Sequence, residues 1–198
     1  MKNLVIGTLL TFGLISGAQA AGDAEAGQSK VAVCAGCHGA DGNSAVPNFP
    51  KLAGIGEKYL FNQLKDIKAQ KRVIVEMTGL LDGSSEQDLA DMAAYFASKK
   101  RQGGQADPAL VEAGEEIYRA GDASKGLAAC TACHGPAGKG LESAGFPALA
   151  GQHAAYIESS LVKFAKGERD NVMMMGVAAK MSEADMKAVA SYIQGLYQ

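Results

Sequence analysis

The chain contains no tryptophan, and aromatic residues of all kinds make up only 6% of its 198 residues. It also lacks an excess of charge, since 19 basic residues stand against 21 acidic ones, for a formal net charge of −2. The near balance excludes a polybasic nucleic-acid-binding protein, and the hydrophobic content of 47% excludes a disordered chain. With so few aromatic side chains, we expect something else to fill part of the interior.

A hydrophobic run long enough to cross a bilayer, about 20 residues, is also missing. The first 20 residues nevertheless combine a basic residue, Lys2, with an apolar run from Leu4 to Ile15 and a cleavage site with alanine at positions 18 and 20. These three parts are typical of a secretory signal peptide. We therefore assign residues 1–20 to a signal peptide and expect cleavage after Ala20, which leaves an exported mature protein.

The mature sequence consists of two similar halves. Residues 33–39 (VCAGCHG) match residues 129–135 (ACTACHG) at an offset of 96. Residues 49–54 (FPKLAG) match residues 146–151 (FPALAG) at an offset of 97, and later matches keep this offset. A register held over such a distance indicates a tandem duplication.

A polar, glycine-rich segment from Lys99 to Pro108 separates the two halves and has the composition of a flexible linker. We predict a first domain over residues 21–102, a linker over residues 103–109 and a second domain over residues 110–198.

Both halves are predicted to be helical. Residues 57–70 and 154–166 each place apolar side chains on one face of a helix. Ser85 and Ser182 each precede an acidic first turn, as N-cap residues do. Because no segment shows a convincing strand alternation, we predict an all-α fold.

Each half contains one Cys-x-x-Cys-His sequence, the attachment signature of a c-type haem. The residues are Cys34, Cys37 and His38 in the first half, and Cys130, Cys133 and His134 in the second. Two thiols one helical turn apart can form thioethers with the two vinyl groups of one porphyrin, and the histidine can bind the iron. A zinc site would need a spacer of about 15–20 residues between the cysteine pairs. A disulfide or thioredoxin-type site would not need the matched histidines.

The sequence therefore predicts two covalently bound haem c groups, with the four cysteines as attachment sites. Each half is short enough that its core would be marginal without a cross-link or cofactor. A buried porphyrin supplies both apolar surface and a covalent link, which fits the low aromatic content.

The sixth iron ligand decides between simple electron transfer and chemistry at an open iron. In the first half, Met77 lies after the haem motif and before the last helix. In the second half Met173–Met175 are adjacent, and the offset of 97 from Met77 selects Met174. The predicted axial pairs are His38 with Met77, and His134 with Met174.

Three further residues bear on the histidines. Pro50 and Pro147 occupy matching positions, and their carbonyl groups are available to orient the proximal imidazole N–H. The alternative is a rigid turn before a helix. His153 has no counterpart in the first half, so we expect a surface or helix-start residue rather than an iron ligand.

Essentially the whole mature chain resembles the cytochrome c4 family, the dihaem members of the class I c-type cytochromes. Besides the haem motifs, the resemblance lies in residues 21–24 (AGDA), 76–82 (EMTGLLD), 176–182 (GVAAKMS) and 191–196 (SYIQGL). It implies two cytochrome c domains related by a pseudo-twofold, with the propionate edges of the haems facing each other. It also implies a periplasmic carrier, sometimes membrane-associated, that passes electrons toward terminal oxidases.

We therefore expect an electron-transfer protein whose irons cycle between Fe(III) and Fe(II) with His/Met ligation. The expected partners are a redox protein donor and acceptor, with peripheral membrane association and without nucleic acid. Two alternatives remain. One is a dihaem peroxidase or dehydrogenase with an open iron, and the other is the cytochrome subunit of a larger redox enzyme.

Overall fold

The structure is a computed structural model that describes residues 21–197, so the predicted signal peptide lies outside the described residues. Over this range the chain forms helices and two isolated β-bridges but no strand, which confirms the all-α prediction. Within the same range, no helix combines the length and apolar character needed to cross a bilayer.

The two halves have a related order of helices. In the first half they are α1 (Ala24–Gln28), α2 (Ala35–His38), α3 (Glu57–Lys68) and α4 (Glu86–Ala97). In the second half they are α5 (Val111–Ala120), α6 (Thr131–His134), α7 (Ala154–Ala165), α8 (Val172–Ala178) and α9 (Glu183–Gly195). The halves differ before the last helix, where the first has only the short 3-10 helix Val75–Met77 and the second has α8.

The same helix crossing stabilises each half. Helix α1 packs on α4 and α5 packs on α9, and a glycine lies at each crossing. A Cβ atom on Gly27 would come within 2.1 Å of the Asp91 carbonyl oxygen, and one on Gly114 within 2.3 Å of the Ala188 carbonyl oxygen. Only glycine permits so close an approach of two helix backbones.

The last helix of each half begins with the N-cap that the sequence predicts. The hydroxyl of Ser85 accepts from the backbone N–H of Asp88, and the Asp88 carboxylate accepts in return from the backbone N–H of Ser85. Ser182 and Asp185 form the same capping box. Each box satisfies N–H groups that a helix start leaves without a partner. The capped helices α4 and α9 each contribute much of the core of their own half.

The segment predicted to be a flexible linker is hydrogen-bonded to the second half. The backbone N–H of Gly104 donates to the Gln194 carbonyl at 3.1 Å, and that of Asp107 donates to the Ser191 hydroxyl at 2.8 Å. The polar backbone of the segment thus finds partners on α9, which composition does not reveal. The exact domain limits stay a prediction.

Candidate cofactor sites

Each Cys-x-x-Cys-His sequence forms a single turn of helix. Cys34 is the N-cap of α2 and Cys130 the N-cap of α6, so the second cysteine and the histidine follow within the same turn. The backbone N–H of each histidine donates to the carbonyl of the first cysteine at 2.9 Å. The helix ends at a glycine with positive φ, 80° at Gly39 and 76° at Gly135, a conformation that other residues rarely adopt.

The motif cysteines differ in burial, since Cys34 and Cys130 are half-buried whereas Cys37 and Cys133 are exposed. None of the four, all of which lie in the described range, forms a disulfide. Burial raises the pKa of the Cys34 thiol and raises the pKa of the Cys130 thiol to about 11. Among residues 21–197, no group of three or more His, Cys, Asp or Glu side chains is placed to hold a metal ion.

Both motif histidines are buried and oriented by a backbone carbonyl. His38 Nδ1 lies 2.8 Å from the Pro50 oxygen, and His134 Nδ1 lies 2.9 Å from the Pro147 oxygen. Since a carbonyl only accepts, Nδ1 carries the proton and the Nε2 lone pair is free to bind a metal. Burial lowers the pKa of both imidazoles, which favours the neutral form. The expected role of the two proline carbonyls is confirmed.

A cavity of about 410 Å³ lies beside the first motif, within the usual size range of cofactor pockets. Cys34, Cys37, His38 and Met77 all line it, together with apolar side chains from α3 and α4. The structure therefore brings the four predicted site residues of the first half to one apolar cavity. Residues of the second half, Tyr156 and Arg169 among them, also line it.

The methionine run of the second half lies in α8, and its members differ in environment. The side chain of Met173 is exposed, at 57%. Met174 and Met175 are half-buried and pack against the core of the second half. Met173 is therefore unsuited to bind a buried iron, whereas Met174 and Met175 share the half-buried environment that a ligand needs, and the choice of Met174 stays a prediction from the repeat.

His153 is the N-cap residue of α7, as expected of a helix-start residue. Its Nε2 atom also lies 2.8 Å from the carbonyl oxygen of Ser44 in the first half. This contact between the halves leaves no sign in the local sequence.

A reciprocal pair of hydrogen bonds joins the two halves. Arg169 Nη2 lies 2.6 Å from the Tyr59 hydroxyl, and Arg72 Nη2 lies 3.1 Å from the Tyr156 hydroxyl. The repeat offset of 97 relates the two tyrosines to each other and the two arginines likewise. Each half thus offers its arginine to the tyrosine of the other, the pattern that a twofold relation produces. Our sequence reasoning missed this network, although the matched Tyr and Arg positions were visible in the repeat.

Two further cations are buried between the halves. Arg101, 8% exposed, donates from Nε to the Ala53 carbonyl and from Nη1 to the carbonyls of Ala148 and Ala150. Burial lowers its pKa to about 10, and its Nη2 atom is buried without a partner. Lys51, 6% exposed, donates to the carbonyls of Gln102 and Gly151.

This interface suits a cofactor that carries carboxylate groups. Within residues 21–197, none of the four cations, Lys51, Arg72, Arg101 and Arg169, has a carboxylate within ion-pair distance. Buried charge without a counterion is costly. The propionates of haem groups in the two halves would supply negative charge here, so the residues present fit the predicted cofactor.

A buried neutral imidazole beside two thiols on one helical turn is what covalent haem attachment requires, and it occurs once in each half. The fold and the sites together define a c-type cytochrome with two haem domains.

Comparison with known proteins agrees with this class. The family model described as Cytochrome c matches residues 24–100 and again residues 111–197. Cytochrome c4 of Pseudomonas aeruginosa is 56% identical over 201 aligned positions that span all of both chains. The structure of reduced recombinant cytochrome c4 from Pseudomonas stutzeri superposes with a TM-score of 0.88 at 56% identity, covering 89% of this chain and 100% of that one.

A further relative, named thiosulfate dehydrogenase electron acceptor, from Thiomonas intermedia, is 35% identical over 83% of this chain and 78% of its own. The chain belongs to the cytochrome c4 family. It is a dihaem electron carrier with two covalently bound c-type haems, and it is not an enzyme. Membership therefore sets aside the peroxidase or dehydrogenase alternative.

Proposed function

We propose that the chain carries electrons in the periplasm, with His38 and Met77 as axial ligands of one iron and His134 and Met174 of the other. The observation that carries this proposal is the matched pair of buried histidines. Each donates its Nδ1 proton to a proline carbonyl, at 2.8 Å and 2.9 Å, and so keeps Nε2 for iron. The haem, when bound, supplies one-electron chemistry between Fe(III) and Fe(II).

The cysteines attach the cofactor. Cys34 and Cys37 would hold the first haem through thioethers, and Cys130 and Cys133 the second. The placement of each pair on a single helical turn supports this role. Covalent attachment would keep the cofactor in place, and the carbonyl-bound histidine and the methionine would hold its iron. A ligand set that does not change on reduction keeps the reorganisation small.

The assignment of Met174 is tested by replacing each methionine of the run in turn. In the reduced, diamagnetic holoprotein, the methyl group of an axial methionine is strongly shifted by the porphyrin ring current. We expect Met174→Leu to remove one of two such methyl signals from the proton NMR spectrum. Met173→Leu is the matched control, because this side chain is 57% exposed, and it retains both signals. Loss of a signal in Met175→Leu instead would show that the ligand is Met175.

The interface between the domains supports a relay. The reciprocal bonds from Arg169 to Tyr59 and from Arg72 to Tyr156 hold the two domains in one arrangement. A fixed arrangement lets an electron enter at one haem from a docked donor and leave from the other to an acceptor. A terminal oxidase is the proposed acceptor at the end of this route.

The second candidate function is that of a cytochrome subunit bound permanently to a larger redox enzyme, in place of a freely diffusing carrier. The relative named thiosulfate dehydrogenase electron acceptor favours a redox enzyme as the donor. Size-exclusion chromatography of the native protein from its own cells separates the two cases. A free carrier elutes at the mass of one chain, whereas a permanent subunit co-elutes with an enzyme. Peripheral membrane association stays a prediction.

Export is proposed from the composition of residues 1–20. Mass spectrometry of the purified holoprotein tests it, because cleavage after Ala20 yields a chain that begins at Ala21. A mass that includes residues 1–20 would contradict the proposed processing.

A further inference from the structure

The peptide group between Pro50 and Lys51 is hydrogen-bonded on both sides. Its carbonyl accepts from His38 Nδ1 at 2.8 Å, and its N–H donates to Gln152 Oε1, also at 2.8 Å. His38 belongs to the first domain and Gln152 to the second. One planar peptide therefore links the imidazole of one domain to a side chain of the other.

The second domain repeats this arrangement with a different acceptor. The peptide between Pro147 and Ala148 accepts from His134 Nδ1 at 2.9 Å, and its N–H donates to the Ile55 carbonyl of the first domain at 2.9 Å. The peptide that accepts from each histidine thus donates across the interface. The peptide bonded to His38 donates to a side chain, and the peptide bonded to His134 donates to a backbone carbonyl.

Such a chain of hydrogen bonds strengthens its own members. A peptide N–H that donates polarises the same peptide, so that its carbonyl becomes a better acceptor, by ~10–30% per bond. Gln152 is well placed to do this because it is only 1% exposed. Its Nε2 also donates to the Lys51 carbonyl at 2.8 Å, and its Oε1 accepts from the His153 N–H at 3.0 Å. The amide is therefore held on both sides.

The effect reaches the iron through the basicity of the imidazole. A stronger acceptor at Nδ1–H raises the basicity of a metal-bound histidine. A more basic ligand favours Fe(III) over Fe(II), and hydrogen bonding around the ligands is one of the ways in which a protein sets a haem potential. Contact between the domains would then tune each iron from the opposite domain.

We propose that Gln152 is a positioning residue for His38, acting through the Pro50–Lys51 peptide to lower the reduction potential of the first-domain haem. This inference rests on the proposed role of His38 as axial ligand. A second-domain side chain thus acts on the first-domain iron. For His134 the corresponding acceptor is the backbone carbonyl of Ile55 rather than a side chain.

The test replaces Gln152 with Met in the holoprotein, which removes the acceptor without changing the charge. Potentials come from spectroelectrochemistry, with each haem assigned by NMR. We expect the first-domain potential to shift upward and the second-domain potential to shift less. In the reduced protein, the His38 Nδ1–H resonance should move upfield and its exchange with solvent should become faster.

Gln194→Met is the matched control. Gln194 Oε1 accepts from the Ala154 N–H at 2.8 Å, and its Nε2 donates to the Gln105 carbonyl at 2.7 Å. The control therefore also loses side-chain bonds to backbone, but it leaves the Pro50–Lys51 peptide intact. If Gln152 had a purely structural role, Gln152→Met would destabilise the protein but leave the His38 Nδ1–H resonance where it is in the control.

Gln152→Glu provides a second test should Gln152→Met not fold. A carboxylate accepts more strongly than an amide, so the His38 Nδ1–H resonance should move downfield. The proposal would be overturned if the His38 resonance and the first-domain potential kept their wild-type values in the Gln152 variants. It would also be overturned if Gln194→Met shifted both quantities by the same amount. Failure of the axial role itself would be visible separately, because the wild-type spectrum would then lack ring-current-shifted His38 ring protons.

Discussion

Replacing Arg101 with Met should loosen the connection between the domains. The side chain is 8% exposed and joins the two halves, since Nε donates to the Ala53 carbonyl at 2.7 Å and Nη1 to the Ala148 carbonyl at 3.0 Å and the Ala150 carbonyl at 3.2 Å. Methionine has a similar length but no donor. The variant therefore leaves three buried carbonyls without the partner they have now.

Two opposing terms set the size of the effect. Hydrogen bonds that involve a charged group contribute about 1.5–3 kcal/mol each, so at the lower end of this range the loss of three costs about 5 kcal/mol. Burial opposes this, because it lowers the pKa of Arg101 from 12.5 to about 10. That shift corresponds to roughly 3 kcal/mol against the charged form. Methionine has no charge, so this cost is absent in the variant. The net loss is about 2 kcal/mol.

Limited trypsin digestion of the holoprotein measures this loss. Cleavage after Lys100 requires local opening of the segment between the domains, and its rate follows the population of the open form when reclosing is fast. A loss of about 2 kcal/mol corresponds to cleavage about 30-fold faster. Arg119→Met is the control, since the exposed Arg119 side chain pairs with Glu115 within the second domain. Cleavage after Lys100 at the wild-type rate in Arg101→Met would refute the reasoning.

Four further variants test individual residues. Tyr59→Phe removes the 2.6 Å hydrogen bond from Arg169 and should lower the free energy of unfolding by about 2 kcal/mol. Tyr156→Phe removes the longer 3.1 Å bond from Arg72 and should lower the melting temperature less. In the first domain, the N–H of Asp23, the ammonium of Lys30 and the amide of Gln87 hold the pKa of Asp91 below its usual range. The stabilisation from Asp91 is therefore complete above its ordinary pKa of about 3.9 and is lost as pH falls through the lower folded value. In Asp91→Asn, stability should depend less on pH between the lowered and the ordinary pKa of Asp91. Acid unfolding followed by circular dichroism measures this, and an unchanged acid transition would contradict it. Gly114→Ala places a Cβ within 2.3 Å of the Ala188 carbonyl, so the α5–α9 crossing should open and thermal stability should fall, as calorimetry can check.

Local sequence patterns predicted the features that depend on neighbouring residues. The spacing of Cys34, Cys37 and His38 indicated a single helical turn, and the structure has that turn. Ser85 and Ser182 are the predicted N-caps, and each forms a capping box, which involves only four consecutive residues. The end of α3 was less accurate. The pattern of apolar residues continued to residue 70, whereas the helix stops at Lys68 and Gln70 adopts a φ of 56°.

Contacts between distant residues could not be predicted in this way. Lys51 and Gln152 lie 101 positions apart, and no periodicity relates them. The buried position of Arg101 was hidden by its polar, glycine-rich neighbours, which are typical of exposed linkers. The repeat did hold a usable signal for Tyr59 and Tyr156 and for Arg72 and Arg169, since polar residues matched at the same offset are candidates for reciprocal contacts across a twofold.

On the proposed ligation, a histidine and a methionine close each iron, and this closure makes the chain a carrier of electrons only. The absorption spectrum of the reduced holoprotein before and after addition of carbon monoxide tests it most directly. We predict no change at either haem, because the proposed methionine ligands would hold both sixth positions. Rapid binding at one haem would contradict the claim and would call the ligation by Met174 into question first.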